Sequence, residues 1–209
     1  MKPSRLLGVV LIATGLLASA GAIAGDAAAG KAKYGVCVAC HGAAGEGNPA
    51  LNAPAIAGQE TWYLKASLKA FKSGVRGTHA KDIYGKQMRP MAMVLADDAA
   101  IANVAAYVNG MAPASLTHKG GGDAARGKAL CATCAACHGA NGQGNPALKG
   151  PNLTLQQDWY VVRQLKNFKE GIRGSDPKDV QGMQMRPMAS MLADEQAMKD
   201  VAAYIVTLK

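Results

Sequence analysis

Residues 31 to 108 align with residues 128 to 205 at a constant offset of 97, without a gap and with about half the positions identical. Two copies are too few for a solenoid, whose units bury their faces only by stacking, so the register predicts a tandem pair of similar domains. Matched pairs include Cys37/Cys134, Cys40/Cys137, His41/His138, Trp62/Trp159, Tyr63/Tyr160, Phe71/Phe168 and Met88-Arg89-Pro90-Met91 against Met185-Arg186-Pro187-Met188. Met111 to Gly122 lies between the copies and holds Pro113, Ser115 and three consecutive glycines, a linker composition. The chain thus divides into residues 1–24, a first domain over 25–110, a linker over 111–122 and a second domain over 123–209.

Residues 1–24 differ from the rest. Lys2 and Arg5 precede an apolar run from Leu6 to Ala24 that closes on Ala22-Ile23-Ala24, the pattern of an export signal with a small-residue cleavage site. A retained membrane anchor is the alternative, since the run approaches spanning length. Either way the domains are expected outside the cytoplasm, in the periplasm, soluble or with peripheral membrane association through the N-terminus.

Helical periodicity dominates both copies, and no segment sustains a period of two. Asp26 and Asp123 are candidate N-caps of an Ala-rich first helix, and Asp97 and Asp194 of a last helix whose apolar face carries Ile101, Val104, Ala105 and Val108, or Met198, Val201, Ala202 and Ile205. A middle helix is expected from Thr61 or Asp158 to Gly74 or Gly171. The fold class is all-α, with three to five helices per domain. Only 5% of the residues are aromatic although 49% are hydrophobic. Domains this small lack the bulk for a self-sufficient core, and a large cofactor would supply it. Of the +9 charge, Lys2 and Arg5 carry +2, and the remaining +7 is spread over residues 25–122 (+4) and 123–209 (+3) with no basic run, which argues against nucleic-acid binding and favours acidic protein partners or anionic lipid.

Cys37-Val38-Ala39-Cys40-His41 and Cys134-Ala135-Ala136-Cys137-His138 each have the attachment spacing of c-type haem, in which two thiols form thioethers and the next imidazole ligates iron. One zinc site would need both pairs, which lie in separate copies. A thioredoxin-like pair expects a βαβ setting that is missing. Simple disulfides leave the following histidines unexplained, and three-residue spacing on a helix strains their geometry. Cys131, matched by Tyr34, is the odd cysteine: a small buried residue, or a spare thiol that pairs between chains or competes in haem attachment.

The other axial ligand decides between an open, small-molecule-binding iron and a closed one of raised potential. Met88/Met185 and Met91/Met188 are the matched candidates. The first pair precedes Arg-Pro in a segment expected to be loop, where a side chain can cross a haem face, and the second is expected to pack the pocket. His79 and His118 are unduplicated and are expected to be solvated surface residues.

With these residues the chain resembles the dihaem class I cytochromes c, most closely the cytochrome c4 type, over essentially all of residues 25 to 209. The shared features are the Cys-x-x-Cys-His-Gly motif, the Pro54, Gln59, Trp62, Tyr63 stretch and its match Pro151, Gln156, Trp159, Tyr160, and a closing Val-Ala-Ala-Tyr helix, each twice. The resemblance implies two covalent haem c groups on Cys37, Cys40, Cys134 and Cys137. It implies His41 with Met88 and His138 with Met185 as axial iron ligands, and Pro54 and Pro151 as carbonyl acceptors for the histidine Nδ1 protons. It also implies that Gly30 and Gly127 let the first helix cross the last near Tyr107 and Tyr204. The activity implied is electron carriage without catalysis by a monomer, from a quinol-oxidising cytochrome complex to a terminal oxidase or reductase. The alternative is a haem subunit of a dehydrogenase, such as a flavoprotein sulfide dehydrogenase; a dihaem peroxidase, which needs one open iron, is more distant. Cys131, and Thr154-Leu155 in place of Ala57-Gly58, depart from the pattern.

Overall fold

The computed structural model describes residues 25–116 and 118–208; the expected export signal, residues 1–24, lies outside them. The first copy forms α1 (Ala27–His41), a short 3-10 turn (Pro49–Leu51), α2 (Thr61–Ser73), α3 (Ile83–Met93) and α4 (Asp98–Asn109). The second forms α5 (Ala124–Leu130), α6 (Ala135–His138), α7 (Asp158–Lys169), α8 (Val180–Ser190) and α9 (Glu195–Val206). Among the described residues there is no β-strand, only the isolated bridges Asn48–Ala53 and Asn145–Gly150, and no single helix is long and apolar enough to cross a membrane.

The expected caps are in place. The Asp26 carboxylate accepts from the Ala28 and Ala29 amides, Asp123 from Ala125 and Arg126, Asp97 from Ala100 and Asp194 from Ala197. Each satisfies amides that the first helical turn leaves without partners. The core of each domain is the apolar face of the last helix packed on the first and middle helices. Ile101, Val104 and Val108 meet Tyr34 and Leu64 in the first, and Met198, Val201 and Ile205 meet Val161 and Leu192 in the second.

The crossing of first and last helix is backbone against backbone. A Cβ on Gly30 would lie 2.0 Å from the Asn103 carbonyl oxygen, and one on Gly127 1.9 Å from that of Asp200. Tyr107 and Tyr204 flank the same crossings. Gly25 and Gly122, a matched pair whose contact the sequence did not disclose, make a second approach one turn earlier, 2.0 Å from Ala102 O and 2.2 Å from Lys199 O by the same construction. Gly127→Ala must push α5 off α9, and a loss of at least about 2 kcal/mol is expected from such overpacking. Chemical denaturation followed in the second domain reads it.

Beside this crossing the copies differ in charge. In the first, the Asp26 amide donates to Asn103 Oδ1 at 2.8 Å. In the second, the Asp123 amide donates to Asp200 Oδ1 at 2.9 Å, and Arg126 Nε pairs with Asp200 Oδ2 at 3.1 Å, the Asp200 side chain being 1% exposed. The Asp123 amide, then Gln196 and Arg126, hold the Asp200 carboxyl below the usual carboxylate range. A carboxyl lowered by folding stabilises the native state above its unfolded pKa of about 3.9 and loses that contribution as pH falls through the lower folded value. Asp200→Asn, the first copy's own residue, is therefore expected to flatten the acid limb of second-domain unfolding below about pH 4, read by circular dichroism across a pH series.

Candidate haem sites

Each domain carries an apolar cavity walled by the residues the sequence singled out. Cys37, Cys40, His41, Pro54, Met88 and Met91 line the first, of about 190 Å³. Cys134, Cys137, His138, Pro151, Met185 and Met188 line the second, of about 410 Å³. Apolar hollows of this size leave a small domain short of buried surface unless a bulky group fills them. The fold is built around a bulky occupant.

In the first copy α1 runs unbroken through Cys37, Cys40 and His41. Gly42 at φ 80° ends it and turns the chain back, so that the Pro54 carbonyl lies 2.8 Å from His41 Nδ1. The same contact, also 2.8 Å, joins His138 Nδ1 to the Pro151 carbonyl. A carbonyl can only accept, so Nδ1 carries the proton and Nε2 keeps its lone pair for the cavity. Burial lowers the His41 pKa against the opposing pull of Pro54, and lowers that of His138 against Pro151 and Glu60. Both imidazoles are thus held neutral, the form that binds a metal. Burial, with a contribution from Cys40, pushes the Cys37 thiol up.

The methionine segment also lines each cavity, and here the structure departs from expectation. Met88 and Met185 are not in a loop: they belong to α3 and α8, helices that contain Pro90 and Pro187. Each helix begins on an aspartate, Asp82 accepting from the Gly85 amide and Asp179 from Gly182, both at 3.0 Å. Each is followed by a turn tied to the middle helix by a lysine. Lys72 Nζ donates to the Leu95 and Ala96 carbonyls, and Lys169 Nζ to those of Leu192 and Ala193. Rigid helical ground therefore presents the thioethers. Met88 and Met185 are half-buried on the cavity side, whereas Met91 (37% exposed) and Met188 (42%) reach the rim.

The two cavities adjoin. Gln59, Tyr63, Arg76, Gln156, Tyr160 and Gln164 line both. The boundary between domains is sealed by side chains whose importance the sequence did not signal beyond the matched Gln59/Gln156. Gln157 accepts from the Ala55 amide at 2.9 Å and donates to the Glu46 carbonyl at 3.1 Å. Glu60 accepts from the Asn152 amide at 2.8 Å, and Gln59 donates to the Asn152 carbonyl at 3.1 Å. Arg163 reaches the Asn52 carbonyl at 3.2 Å and stacks between Tyr84 and Trp159.

Buried donors at this boundary lack partners. Trp62 Nε1, Arg76 Nε, Trp159 Nε1 and Arg173 Nε make no hydrogen bond, while the guanidiniums stack on Phe71 and Phe168 at 4.2 and 4.4 Å. Burial works to raise the Tyr63 phenol, yet the Arg173 and Arg76 charges outweigh it and bring it down. Arg173 also donates through Nη1 to Gln164 at 2.8 Å, so each guanidinium is held in place while its Nε stays unused; two such buried positive charges beside an apolar slot suit an occupant with a flat apolar body and anionic acceptor groups. Haem, with its two carboxylates, meets that description, and the thiol and imidazole donors fit its attachment and its iron.

The histidines outside the motifs divide. His79 is exposed, as expected. His118 is not a solvated residue: its side chain is 20% exposed and its Nδ1 lies 3.8 Å from the Asp158 carboxylate. Asp158 also accepts from the Lys119 and Gly120 amides at 2.9 and 2.7 Å, clasping the linker to the start of α7. Cys131 is buried, but bonded to Cys134 within the same chain, not paired between chains.

The cytochrome c family model matches residues 27–112 and again 124–209. A cytochrome c4 from Pseudomonas aeruginosa is 37% identical over 211 residues, covering 96% of this chain and 95% of that one. The chain belongs to the cytochrome c4 family. The crystal structure of reduced recombinant cytochrome c4 from Pseudomonas stutzeri superimposes with a TM-score of 0.70 at 33% identity, over 87% of this chain and 98% of that one. A protein named thiosulfate dehydrogenase electron acceptor from Stutzerimonas stutzeri is 32% identical, over 73% of this chain and 72% of its own. As a member of the cytochrome c4 family the chain carries two covalent haem c groups and transfers electrons rather than catalysing a reaction.

Proposed function

We propose that this cytochrome is a periplasmic monomer, exported through residues 1–24, that takes single electrons from a quinol-oxidising cytochrome complex and delivers them to a terminal oxidase or reductase. In this reading Cys37 and Cys40 hold one haem and Cys134 and Cys137 the other. His41 with Met88, and His138 with Met185, close the iron on both sides. The observation that carries it is that each cavity is lined both by an imidazole whose Nδ1 is fixed by a proline carbonyl and by a half-buried thioether.

The iron supplies a reversible one-electron change; the chain's residues decide where it rests and who receives it. Methionine sulfur favours the ferrous state, and a dry apolar wall penalises the extra positive charge of the ferric one, so both raise the potential. Pro54 and Pro151 keep each imidazole in one tautomer and one plane. Arg76, which lines both cavities, and Arg173, which lines the second, would pair with anionic groups of the haems bound there, and the residues common to both cavities would bring the two groups close enough for electrons to pass between domains. Lys86, Arg89 and Arg186 on the methionine helices steer the molecule toward acidic partner surfaces. Peripheral membrane association would follow only from a retained N-terminal segment.

Potentiometric titration of the exported protein under a range of cyanide concentrations tests this. Two positive waves and slow cyanide binding are expected; a strongly negative wave, or one iron binding cyanide at once, overturns the ligand set. A second reading, an electron-accepting partner of a dehydrogenase, is favoured by the relative named for thiosulfate dehydrogenase. A flavoprotein sulfide dehydrogenase is another such enzyme. Co-purification with a dehydrogenase would support this reading, and a monomer active with the cytochrome complex would oppose it.

A further inference from the structure

We propose that Cys131 guards the second haem-attachment site: in the unloaded chain it holds Cys134 in a disulfide, and a dithiol reductant must open that bond before Cys134 can form its thioether. The inference rests on Cys134 and Cys137 being the attachment residues of the second domain.

Three observations carry it. Of the four attachment cysteines, Cys134 alone has a second cysteine bonded to it, Cys131, and Cys37, Cys40 and Cys137 have no disulfide partner. The backbone around the bond departs from its repeat partner. α1 passes unbroken through Cys37, Cys40 and His41, but in the second copy the helix stops with Leu130, residues 131–134 form turns, and a four-residue α6 resumes at Ala135. Finally, the substitution at 131 removes an anchor. In the first copy Tyr34 donates its hydroxyl to the Gly42 carbonyl at 2.8 Å and meets Tyr107 edge-on at 5.3 Å. Cys131 is 5% exposed within the core formed with Val201 and Ile205, and its side chain is too short to make either contact. The position has exchanged a helix-locking phenol for a thiol three residues from an attachment cysteine.

The chemistry balances with an external dithiol. Thiolate attack on the Cys131–Cys134 bond passes two electrons and two protons to these residues and leaves the reductant as its own disulfide. Cys134 and Cys137 can then each add across a vinyl group, sulfur to one carbon and hydrogen to the other, with no net oxidation. Cys131 remains as a buried thiol. Loading of the second domain is thereby tied to the supply of reducing equivalents where the chain matures, a dependence on residue 131 that the first domain, with Tyr34 there, lacks.

The test is production of the full exported chain, wild type and Cys131→Ser, in a host that attaches haem, with and without added dithiothreitol. Intact mass gives the number of attached groups, and fragmentation of the peptide 129–149 locates the sulfur links. Without dithiol, the one-haem fraction of the wild type is expected to exceed that of C131S several-fold, with its unloaded domain linked 131–134, and added dithiol is expected to abolish the difference. Equal one-haem fractions, or a 134–137 link in the unloaded wild type, would overturn the guard. A second domain without haem in C131S even with dithiol would instead overturn the attachment assignment. Cys131→Ala, which buries no hydroxyl, replaces C131S if the serine variant does not accumulate.

Discussion

Met185→Ala is expected to open the second iron and leave the first untouched. The thioether of Met185 stands on α8 with its side chain half-buried against the cavity, and alanine cannot cross that space. Within the span of about 0.8 V that axial ligands command, loss of the sulfur should lower the second potential by the order of 100 mV or more. Cyanide should bind that iron rapidly at neutral pH. Because α8 is fixed at its start by Asp179 and beyond its end by Lys169, the helix should survive the truncation. A variant in which both waves stay in place would show that Met185 is not the ligand, and Met188, one turn on and 42% exposed, would be next to test.

Cys37→Ser with Cys40→Ser is expected to have the largest effect on stability. Without its thioethers the first domain must either hold haem by His41 alone or leave an apolar cavity of about 190 Å³ unfilled, which deprives a small core of the buried surface a bulky group would bring. The buried donors Trp62 Nε1 and Arg76 Nε would also stay unpaired. The first domain should therefore be largely unfolded, while the second keeps its haem. A one-haem intact mass, loss of a substantial part of the helical circular dichroism and rapid proteolysis confined to residues 25–110 are the expected readouts. A fully helical, protease-resistant double variant would mean that the polypeptide core suffices alone.

Local rules made much of this molecule legible in advance. Aspartates at four helix starts, the positive-φ glycines Gly42 and Gly74 at helix ends and a 3.6-residue apolar stripe act within a few residues, so their effects survive being read from a string. The two Cys-x-x-Cys-His runs are legible for the same reason: attachment and ligation need adjacent residues. The methionine segments read as loops because Gly85, Pro90 and their matches signal a break, whereas Asp82 and Asp179 cap helices there and Lys72 and Lys169 tie down the turns beyond them. Neither brace is visible without the fold, since the lysines act over 23 residues. His118 was read as a surface residue because nothing nearby in sequence hints that Asp158, forty positions on, holds the linker.

Cys131 shows the limit most sharply. The sequence reads it as a small buried residue, or as a spare thiol that pairs between chains or competes in haem attachment; the structure buries it and bonds it to Cys134 within the chain, where the helix is interrupted. The boundary between domains was equally hidden. Gln157 reaches from the second copy to Ala55 and Glu46 across more than 100 residues of sequence, and a repeat alignment, comparing each copy only with the other, reports likeness and says nothing of contact.

The sequence by itself determined that there are two helical domains in tandem and that each carries a Cys-x-x-Cys-His run with the spacing of haem attachment. These depend on short-range spacing and on the duplication. Only the tertiary structure decided that Met88 and Met185 stand on helices that line the cavities, that the two cavities share buried glutamine, tyrosine and arginine side chains, and that Cys134 is bonded to Cys131. Those outcomes depend on distances between residues far apart in the chain, which are set by how the helices pack.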